Sequence, residues 1–557
     1  MSEATPAAGP GRRLSDIALC VLAAVLTFGG FPTALSPEWN FFPLLWVSHV
    51  PLLWVLRDKA PRSAFRWGLF TGTLINAGGY FWLAEMLQRF GHLPWAVAEL
   101  GMVLHSLFVG LMWGVWAWLM NRIVNTTRVP VTWAAPLAMV TVEMVMPRIF
   151  PAYMGNSQYP WPLVMQICDV TGIYGVTFLI YRVNATLYLW LRSRAEGRQP
   201  PLRATALTAG LMLATLGYGA VRMHQIDAES EAAQKLKVGI AEGDVGIFEV
   251  ETKDRINNHL LIQQRLTAEL EQQGAQLVLW AESAYRMPYL FDRDEKRFPP
   301  SAVPLPAPGE GWRADSRARV SDEDRQAPIR GFKVPVLFGA TTQSPREKPR
   351  FEGDQSDRYF NSALLLGGDG QVQGRYDKNY LLIGGEYIPL SEYFPWIYKV
   401  IPAAGDLEAS HEQLPVAADL WGIGPVKIGV LICYEGILPG FAHGLAASEP
   451  DLLVNMTNDD WFGRTAERYL HFALTIPRAI EFRRAMARPT LTGVSAFIDP
   501  VGRIVSQTPV TGEDTRLWDM PILKSATLYG RVGDVFGWAC TLLALVAWAY
   551  GRWRRGV

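Results

Sequence analysis

Long apolar stretches fill most of the first 222 residues and return once near the end of the chain. They lie at about 17–31, 41–56, 65–87, 94–120, 129–146, 170–191, 202–221 and 535–550. Each is long enough, or nearly so, for a helix that crosses an apolar layer of ~30 Å. The pattern predicts a multi-pass α-helical membrane domain of eight helices, with seven in residues 1–222 and one in residues 535–557.

In residues 223–534, apolar and polar runs alternate over shorter distances, which predicts a folded domain outside the lipid. A polar helix is predicted at 252–273, and the Pro- and charge-rich stretch 286–330 has no clear period, which is typical of a loop. Short β-branched runs predict strands at 235–241, 277–280, 334–339, 362–366, 374–376, 426–432, 451–456 and 493–498. Such alternation over ~300 residues indicates one α/β domain layered around a sheet.

Arginine and lysine side chains mark one side of the predicted membrane domain. They are Arg12, Arg13, Arg57, Lys59, Arg62, Arg66, Arg122, Arg128, Arg192, Arg194, Arg198, Arg203, Arg552, Arg554 and Arg555. The alternate loops, at 32–40, 88–93 and 147–169, carry few positive charges. Because positive loops stay in the cytoplasm, both chain ends are predicted inside and residues 223–534 outside, which in a bacterium is the periplasm.

Composition narrows the class of protein further. A hydrophobic content of 50% with 21 tryptophans argues against an entirely soluble chain. The formal net charge of zero gives no basic field for a nucleic-acid partner. The eight histidines show no metal-ligand spacing, and no G-x-S-x-G serine elbow occurs. We therefore predict neither a metal nor a cofactor.

One cysteine stands apart from the other three. Cys20, Cys168 and Cys540 lie in or near apolar stretches, whereas Cys433 ends the predicted strand at 426–432. A thiol at a strand-to-helix elbow is expected to have a lowered pKa, because backbone N–H groups and the helix dipole favour the thiolate. The alternative is that Cys433 is a small buried core residue.

Two charged residues, Glu282 and Lys378, also follow predicted strands. Strand ends are where α/β folds place their ligands. A carboxylate can take a thiol proton, and an ammonium can stabilise an oxyanion. Each residue alone is typical of a solvated turn, but together with Cys433 they indicate a nucleophilic site.

The local sequences around these three residues resemble the Glu-Lys-Cys motifs of the nitrilase superfamily. They read Trp-Ala-Glu282-Ser, Tyr-Asp-Lys378-Asn-Tyr-Leu-Leu-Ile-Gly-Gly-Glu386-Tyr-Ile-Pro and Ile-Cys433-Tyr434-Glu435. The block Asn455-Met-Thr-Asn458-Asp-Asp-Trp461-Phe-Gly463 resembles a signature of one membrane branch, the apolipoprotein N-acyltransferases. The resemblance covers nearly the whole chain and implies an αββα sandwich for the domain at 223–534.

The resemblance also implies a reaction. Cys433 would take an acyl chain from a phospholipid as a thioester and pass it to the N-terminal amine of a diacylglyceryl-cysteine apolipoprotein. By the same resemblance, Glu282 is the general base, Lys378 supports the oxyanion and Glu386 assists. Tyr434, Glu435, Asn458 and Trp461 would shape or support the substrate site. The expected location is the bacterial inner membrane, with the catalytic domain in the periplasm.

Some residues depart from the family pattern or stand outside it. Glu242-Gly243-Asp244 and Leu491-Thr492 differ from the usual sequences, and the two new carboxylates are predicted to attract an ammonium-bearing acceptor. Charged residues within the apolar stretches are functional candidates unless they pair or face a cleft. These are Glu85, Glu99, Glu143 and Arg182.

Two alternatives to this function stay open. The first is a divergent paralogue that acylates another amine or hydrolyses an amide. The second is a non-catalytic scaffold that binds lipoproteins, against which the intact Glu-Lys-Cys set argues.

Overall fold

The protein is represented by a computed structural model that describes residues 10–32, 41–246, 253–286, 291–307, 310–346, 357–391, 393–394, 396–397, 405–420 and 424–556. Up to residue 232 these residues form only helices and connections. The α-helices are α1 (Pro10–Phe28), α2 (Val50–Leu56), α3 (Pro61–Gly79), α4 (Trp82–Arg89), α5 (Trp95–Thr126), α6 (Val131–Val145), α7 (Pro162–Met165), α8 (Cys168–Thr171), α9 (Ile173–Ala195) and α10 (Leu202–Ala232). Two 3₁₀ helices lie at Phe42–Trp46 and Met154–Gln158.

Strands and helices then alternate. They are β1 (Lys235–Glu242), α11 (Lys253–Gln272), β2 (Leu277–Leu279), β3 (Phe291–Asp292), α12 (Trp312–Arg317), α13 (Asp322–Gln326), β4 (Val336–Ser344), β5 (Arg358–Leu366), β6 (Val372–Asp377), β7 (Val416–Leu420), β8 (Gly424–Ile432), α14 (Pro439–Ala446), β9 (Leu452–Met456), α15 (Glu467–Thr475), α16 (Pro477–Phe482), β10 (Met486–Arg488), β11 (Ala496–Ile498), β12 (Ile504–Gln507), β13 (Asp514–Pro521), α17 (Leu528–Val532) and α18 (Val535–Gly556).

Helices occur at every apolar stretch, but three of them in the described residues are both long and apolar enough to cross a membrane. These are Trp95–Thr126, Leu202–Ala232 and Val535–Arg554. The stretch 41–56 is divided between a 3₁₀ helix and α2, each with a proline in its first turn. The stretch 65–87 is interrupted between α3 and α4. The fold therefore has a helical N-terminal region in which local breaks shorten several of the predicted helices.

The second part of the chain is built on two sheets. One has the order β13-β1-β2-β4-β5-β6 with β3 beside β4, and the other has the order β12-β11-β10-β9-β8-β7. In the first sheet β1, β2 and β4 are parallel, and in the second β8, β9 and β10 are parallel. Parallel neighbours bring their carboxyl ends to one edge, which gathers the residues that follow β2, β8 and β9.

The two sheets face each other across a buried core. Val430 and Ile432 of β8 share one cluster with Leu236 and Val238 of β1, whereas Leu431 packs among the helices α14 and α15. This is the two-residue period of a strand covered on both faces. On the outer face of the other sheet, α11 contributes Leu266 and Leu270 to a third cluster. The layers are helix, sheet, sheet and helix, as the resemblance implied.

Several contacts join the helical region to the sheet domain. The buried Asp169 accepts hydrogen bonds from Arg483 Nη2 (2.7 Å), Arg222 Nε (3.1 Å) and Tyr218 Oη (2.7 Å). Arg483 also donates to Gln166 Oε1 at 2.6 Å. These polar bonds are buried and charge-assisted, so they hold the sheet domain in a defined position on the helices.

Most predicted strands are observed within a few residues of their expected bounds. The strands β3, β7, β10, β12 and β13 were not predicted. The stretch 286–330 contains β3, α12 and α13 but otherwise little regular structure in its described residues. Residues 287–290 and 308–309 of this prediction lie outside the described part of the chain.

Candidate active site

Cys433 lies at a sharp elbow directly after β8. Its φ of 52° is left-handed, a conformation that costs energy for a residue other than glycine. The elbow opens the 3₁₀ helix Cys433–Ile437, and Cys433 itself is 8% exposed. Because the strand is held by packing on both faces, the structure can maintain this strained turn and present the thiol at the sheet edge.

Glu282 lies at the corresponding edge of the other sheet, shortly after β2. The next residue, Ser283, has a φ of 54°. Strand β4 passes so close that a Cβ on Gly339 would lie 2.5 Å from Ser283 N and 2.7 Å from Glu282 Cα. Any side chain at position 339 would therefore displace the backbone that carries Glu282.

Lys378 joins two carboxylates at the centre of the site. Its Nζ lies 2.9 Å from Glu386 Oε1 and 3.3 Å from Glu282 Oε1, and the side chain is fully buried. Burial opposes the charge of this ammonium, but the two carboxylates outweigh that effect and raise the pKa of Lys378 well above its ordinary value. Lys378 is therefore a permanent cation in the site.

Asn361 completes this arrangement and was not predicted. Its Nδ2 donates to Glu282 Oε1 (2.7 Å) and to Glu386 Oε1 (2.9 Å). Glu282 Oε1 is thus occupied by two donors, whereas Glu282 Oε2 is buried and has no hydrogen-bond partner among the residues that the structure describes. The free oxygen is the one atom of this carboxylate that is available to accept a proton.

The prediction of a lowered thiol pKa is wrong. Burial, followed by the charge of Glu282, raises the pKa of Cys433 despite the opposing effect of Lys378. The helix that follows the elbow is only five residues long, so its dipole is weak. The resting group is consequently a thiol, and its proton must be removed when the sulfur attacks.

Glu435 connects the nucleophile elbow to the lysine segment. Its Oε2 accepts from Ile432 N (2.8 Å) and Tyr376 Oη (2.9 Å). Its Oε1 accepts from Asn379 N (2.7 Å) and Tyr380 N (3.0 Å). Burial raises the pKa of Glu435 to about 7, and the backbone donors limit the rise. The side chain thus fixes the elbow relative to the segment that carries Lys378.

A second network lies behind the thiol and was also missed. The Thr457 hydroxyl is a hydrogen-bond partner of Cys433 and lies 3.5 Å from Asp459 Oδ1. Asp459 accepts from Arg488 Nη2 (2.9 Å) and is bonded to His471 Nδ1 (2.7 Å). Burial alone would raise the pKa of Asp459, but Arg488 and His471 lower it to about 2. Thr457 and Asp459 lie within the signature block 455–463, so the sequence contained the signal for this network, although no role was predicted for either residue.

The remaining predicted residues are close to the site but differ in role. The Tyr434 hydroxyl donates to the Ile149 carbonyl, which belongs to the helical region. Asn458 Oδ1 accepts from Asp460 N at 3.1 Å and so caps the 3₁₀ helix Asp459–Phe462. The Trp461 ring packs on Phe90 with 4.4 Å between centroids. Tyr434 and Trp461 therefore contact connections of the helical region, whereas Asn458 supports local structure.

The expectation for Glu242 and Asp244 needs correction. Glu242 is fully buried and accepts from Thr508 Oγ1 at 2.6 Å, and burial raises the pKa of its carboxyl to about 8. Glu242 is thus mostly protonated at pH 7 and offers little charge to attract an ammonium. Asp244 Oδ2 accepts a hydrogen bond from Gly512 N at 2.5 Å, so this carboxylate links two loops. Leu491 and Thr492 are both buried.

The charged residues of the apolar stretches occupy different surroundings. Glu85 pairs with Arg89 at 3.5 Å. Glu143 is buried and accepts from Met154 N at 2.8 Å. Glu99 is exposed, and Arg182 is fully buried. In the described residues no group of three or more His, Cys, Asp or Glu side chains is arranged to hold a metal ion.

The αββα sandwich with Glu282, Lys378 and Cys433 at its edge defines an enzyme of the carbon-nitrogen hydrolase class that is joined to a helical, membrane-type region. Residues 247–522 match the carbon-nitrogen hydrolase family, and residues 23–186 match the apolipoprotein N-acyltransferase N-terminal domain. The chain belongs to the apolipoprotein N-acyltransferase family, and it is an acyltransferase.

Two bacterial relatives support this assignment. An apolipoprotein N-acyltransferase of Geobacter metallireducens is 31% identical over 97% of this chain and 96% of the relative. One from Bdellovibrio bacteriovorus is 27% identical over 89% of this chain and 87% of the relative. Among solved structures, an amidase of the nitrilase superfamily from Nesterenkonia AN1 is 19% identical, with a TM-score of 0.34 over 54% of this chain and 94% of the amidase.

Proposed function

We propose that the protein transfers an acyl chain from a phospholipid, through a thioester on Cys433, to the N-terminal amine of a diacylglyceryl-cysteine apolipoprotein. The observation that carries this proposal is the buried Lys378 ammonium held between Glu282 and Glu386 next to the thiol. This arrangement offers a nucleophile, a proton acceptor and a fixed cation, which are the three groups that acyl transfer needs.

In the first half-reaction, Cys433 attacks the sn-1 ester carbonyl of the phospholipid. The free Oε2 of Glu282 takes the thiol proton as the carbon–sulfur bond forms. Lys378 stabilises the negative charge that develops on the carbonyl oxygen. The ester carbon–oxygen bond then breaks, and Glu282 returns its proton to the leaving alkoxide, which departs as the hydroxyl of a lysophospholipid.

In the second half-reaction, the amine of the acceptor attacks the thioester carbonyl. Glu282, again ionised, removes one proton from the attacking nitrogen, and the cysteine sulfur leaves as the amide forms. The sulfur recovers the proton through the same carboxyl group. Both steps use one carboxylate and one cation, which is why a single site serves two substrates in turn.

We further propose the domain organisation that suits lipid-anchored substrates. Residues 1–222 form a membrane domain of seven helices, residues 223–534 form the catalytic domain, and residues 535–557 add an eighth helix and a tail. The contacts of Tyr434 and Trp461 with the helical region support a site that opens towards the membrane. The excess of arginines in the opposite loops supports a periplasmic catalytic domain in the inner membrane.

The experiment is a complementation test combined with detection of the thioester. The gene should restore growth to a bacterium depleted of its own N-acyltransferase, and the purified enzyme incubated with phospholipid should carry an acyl group sensitive to neutral hydroxylamine. Cys433→Ala should lose both results, whereas Cys540→Ala, a matched change of a buried cysteine outside the site, should keep them. Turnover that persists in Cys433→Ala would refute the mechanism.

A further inference from the structure

A groove lies at the end of the helical region that is remote from Cys433. Helix α6 connects the two ends. Its last residue, Val145, precedes the Ile149 contact with Tyr434, whereas its first residue, Val131, adjoins the groove. Fifteen helical residues span ~22 Å, so the groove is distant from the catalytic site. It has a volume of about 770 Å³.

The walls of the groove are apolar and come from three segments. Leu543, Val546 and Ala547 of α18 form one side, and Leu137 of α6 and the connection before it form the other. Leu543 and Val546 are 57% and 56% exposed. Of the helices that line the groove, α18 is long and apolar enough to cross a membrane.

Aromatic and cationic side chains lie at the mouth of the same groove. Trp133 and Tyr550 line it, and such amphipathic rings are typical of the level of lipid head groups. Arg128 and Arg554 also line it, and both are exposed. The groove thus combines an apolar wall with a positively charged rim.

A third arginine is buried behind Trp133. The Arg182 guanidinium lies 4.1 Å from the Trp133 ring centroid and donates through Nη1 to the Thr132 carbonyl at 3.1 Å. Among the described residues, the Nε and Nη2 groups of Arg182 have no hydrogen-bond partner, and no carboxylate forms an ion pair with this side chain. A buried cation without a counter-charge is costly, and an anion in the neighbouring groove would reduce that cost.

We propose that this groove binds one anionic glycerophospholipid of the bilayer, at a site separate from the acyl-transfer site. An acyl chain lies along Leu543 and Val546, and the head-group phosphate lies between Arg128 and Arg554. Arg182 adds positive charge from beneath the Trp133 ring. Basic pockets between membrane helices are known to select anionic head groups in this way. The apolar wall favours a lipid over a soluble phosphate, because its exposed side chains are removed from water only when an alkyl chain covers them.

The test measures lipid retention by the full-length protein in a neutral detergent, using native mass spectrometry. The probes are phosphatidylglycerol, phosphatidylethanolamine and soluble glycerophosphate. Wild type should retain one phosphatidylglycerol, and Arg128→Gln/Arg554→Gln should weaken this binding at least ~10-fold. The matched control is Arg194→Gln/Arg203→Gln, which removes the same charge from exposed arginines outside the groove and should bind like wild type.

A second variant tests the apolar wall without changing charge. Val546→Trp fills the groove and should reduce phosphatidylglycerol binding, while acyl transfer continues at the wild-type rate in this variant and in Arg128→Gln/Arg554→Gln. The proposal is overturned if the two arginine pairs behave alike, if phosphatidylethanolamine binds as tightly as phosphatidylglycerol, or if glycerophosphate alone competes fully.

Discussion

Glu282→Gln isolates the proton acceptor of the site from its shape. In the wild type, Glu282 Oε1 accepts from Asn361 Nδ2 (2.7 Å) and Lys378 Nζ (3.3 Å), and within the described part of the chain Oε2 has no partner. A glutamine would turn its carbonyl oxygen towards these two donors, because its own NH₂ group cannot accept from them. The NH₂ group would then occupy the position of Oε2, where the Cys433 proton has to go. The variant should fold normally and lack a base.

Two opposing effects set the size of the loss. Removing a general base commonly costs ~10²–10⁴-fold. The change also removes a negative charge that raises the pKa of Cys433, so more thiolate is present at neutral pH. A fall of one unit in the thiol pKa gives about tenfold more thiolate at neutral pH. Because a thiolate of lower pKa is also less nucleophilic, the rate rises only about threefold. For one such unit a net loss of ~30- to 3,000-fold remains, or about 2–5 kcal/mol in the barrier.

The assay follows acylation of Cys433 by a labelled phospholipid in a single turnover, and separately the alkylation of Cys433 by iodoacetamide as a function of pH. Glu282→Gln should acylate slowly at pH 7 and yet show its alkylation midpoint at lower pH than wild type. Glu449→Gln, on the loop before β9, is the control and should change neither measurement. The reasoning fails if Glu282→Gln acylates at the wild-type rate, or if its alkylation profile does not move.

Three further predictions concern the surroundings of the thiol and the buried acids. Thr457→Val removes a hydroxyl that lowers the pKa of Cys433, so alkylation should require higher pH, while Thr457→Ser should match wild type; identical profiles for both variants would contradict this. Glu435→Gln leaves at least one buried donor unpaired, such as Ile432 N, so thermal unfolding in detergent should show a loss of about 1–3 kcal/mol, and an unchanged unfolding temperature would count against it. Burial raises the pKa of Glu242 from 4.5 to about 8, so stability present below pH ~5 should fall by about 1.4 kcal/mol per unit as the pH rises towards 8. Glu242→Gln should abolish that dependence, and stability curves that stay parallel to wild type would disprove it.

Local pattern was sufficient for the framework of the catalytic domain. The β-branched run before Cys433 predicts β8, and the runs before Glu282 and Lys378 predict the strands or strand ends that carry them. A strand is recognised by side chains that alternate with a two-residue period or, when both of its faces are covered, by a short apolar run. Both patterns can be read directly from the sequence. The motifs around these three residues were likewise enough to indicate the family.

The lengths of the apolar helices were less predictable, because a hydropathy pattern does not show where the backbone leaves helical geometry. The stretch 65–87 is apolar on both sides of residue 80, but α3 ends at Gly79 and α4 begins at Trp82. The break brings α4 against the sheet domain, where Phe90 meets Trp461. That contact depends on a segment more than 300 residues away in the chain, and no local window contains it.

The chemistry of the site was decided by tertiary structure. Sequence alone placed a thiol at an elbow and predicted a lowered pKa, whereas burial and Glu282 raise it. It also treated Glu242 as a charged residue, although the fold encloses this carboxyl and keeps it mostly protonated at pH 7. Residue order determines which groups are available and which strands deliver them. Their protonation depends on how much water the rest of the fold removes and on which charges it brings near, and those quantities exist only once distant segments have packed together.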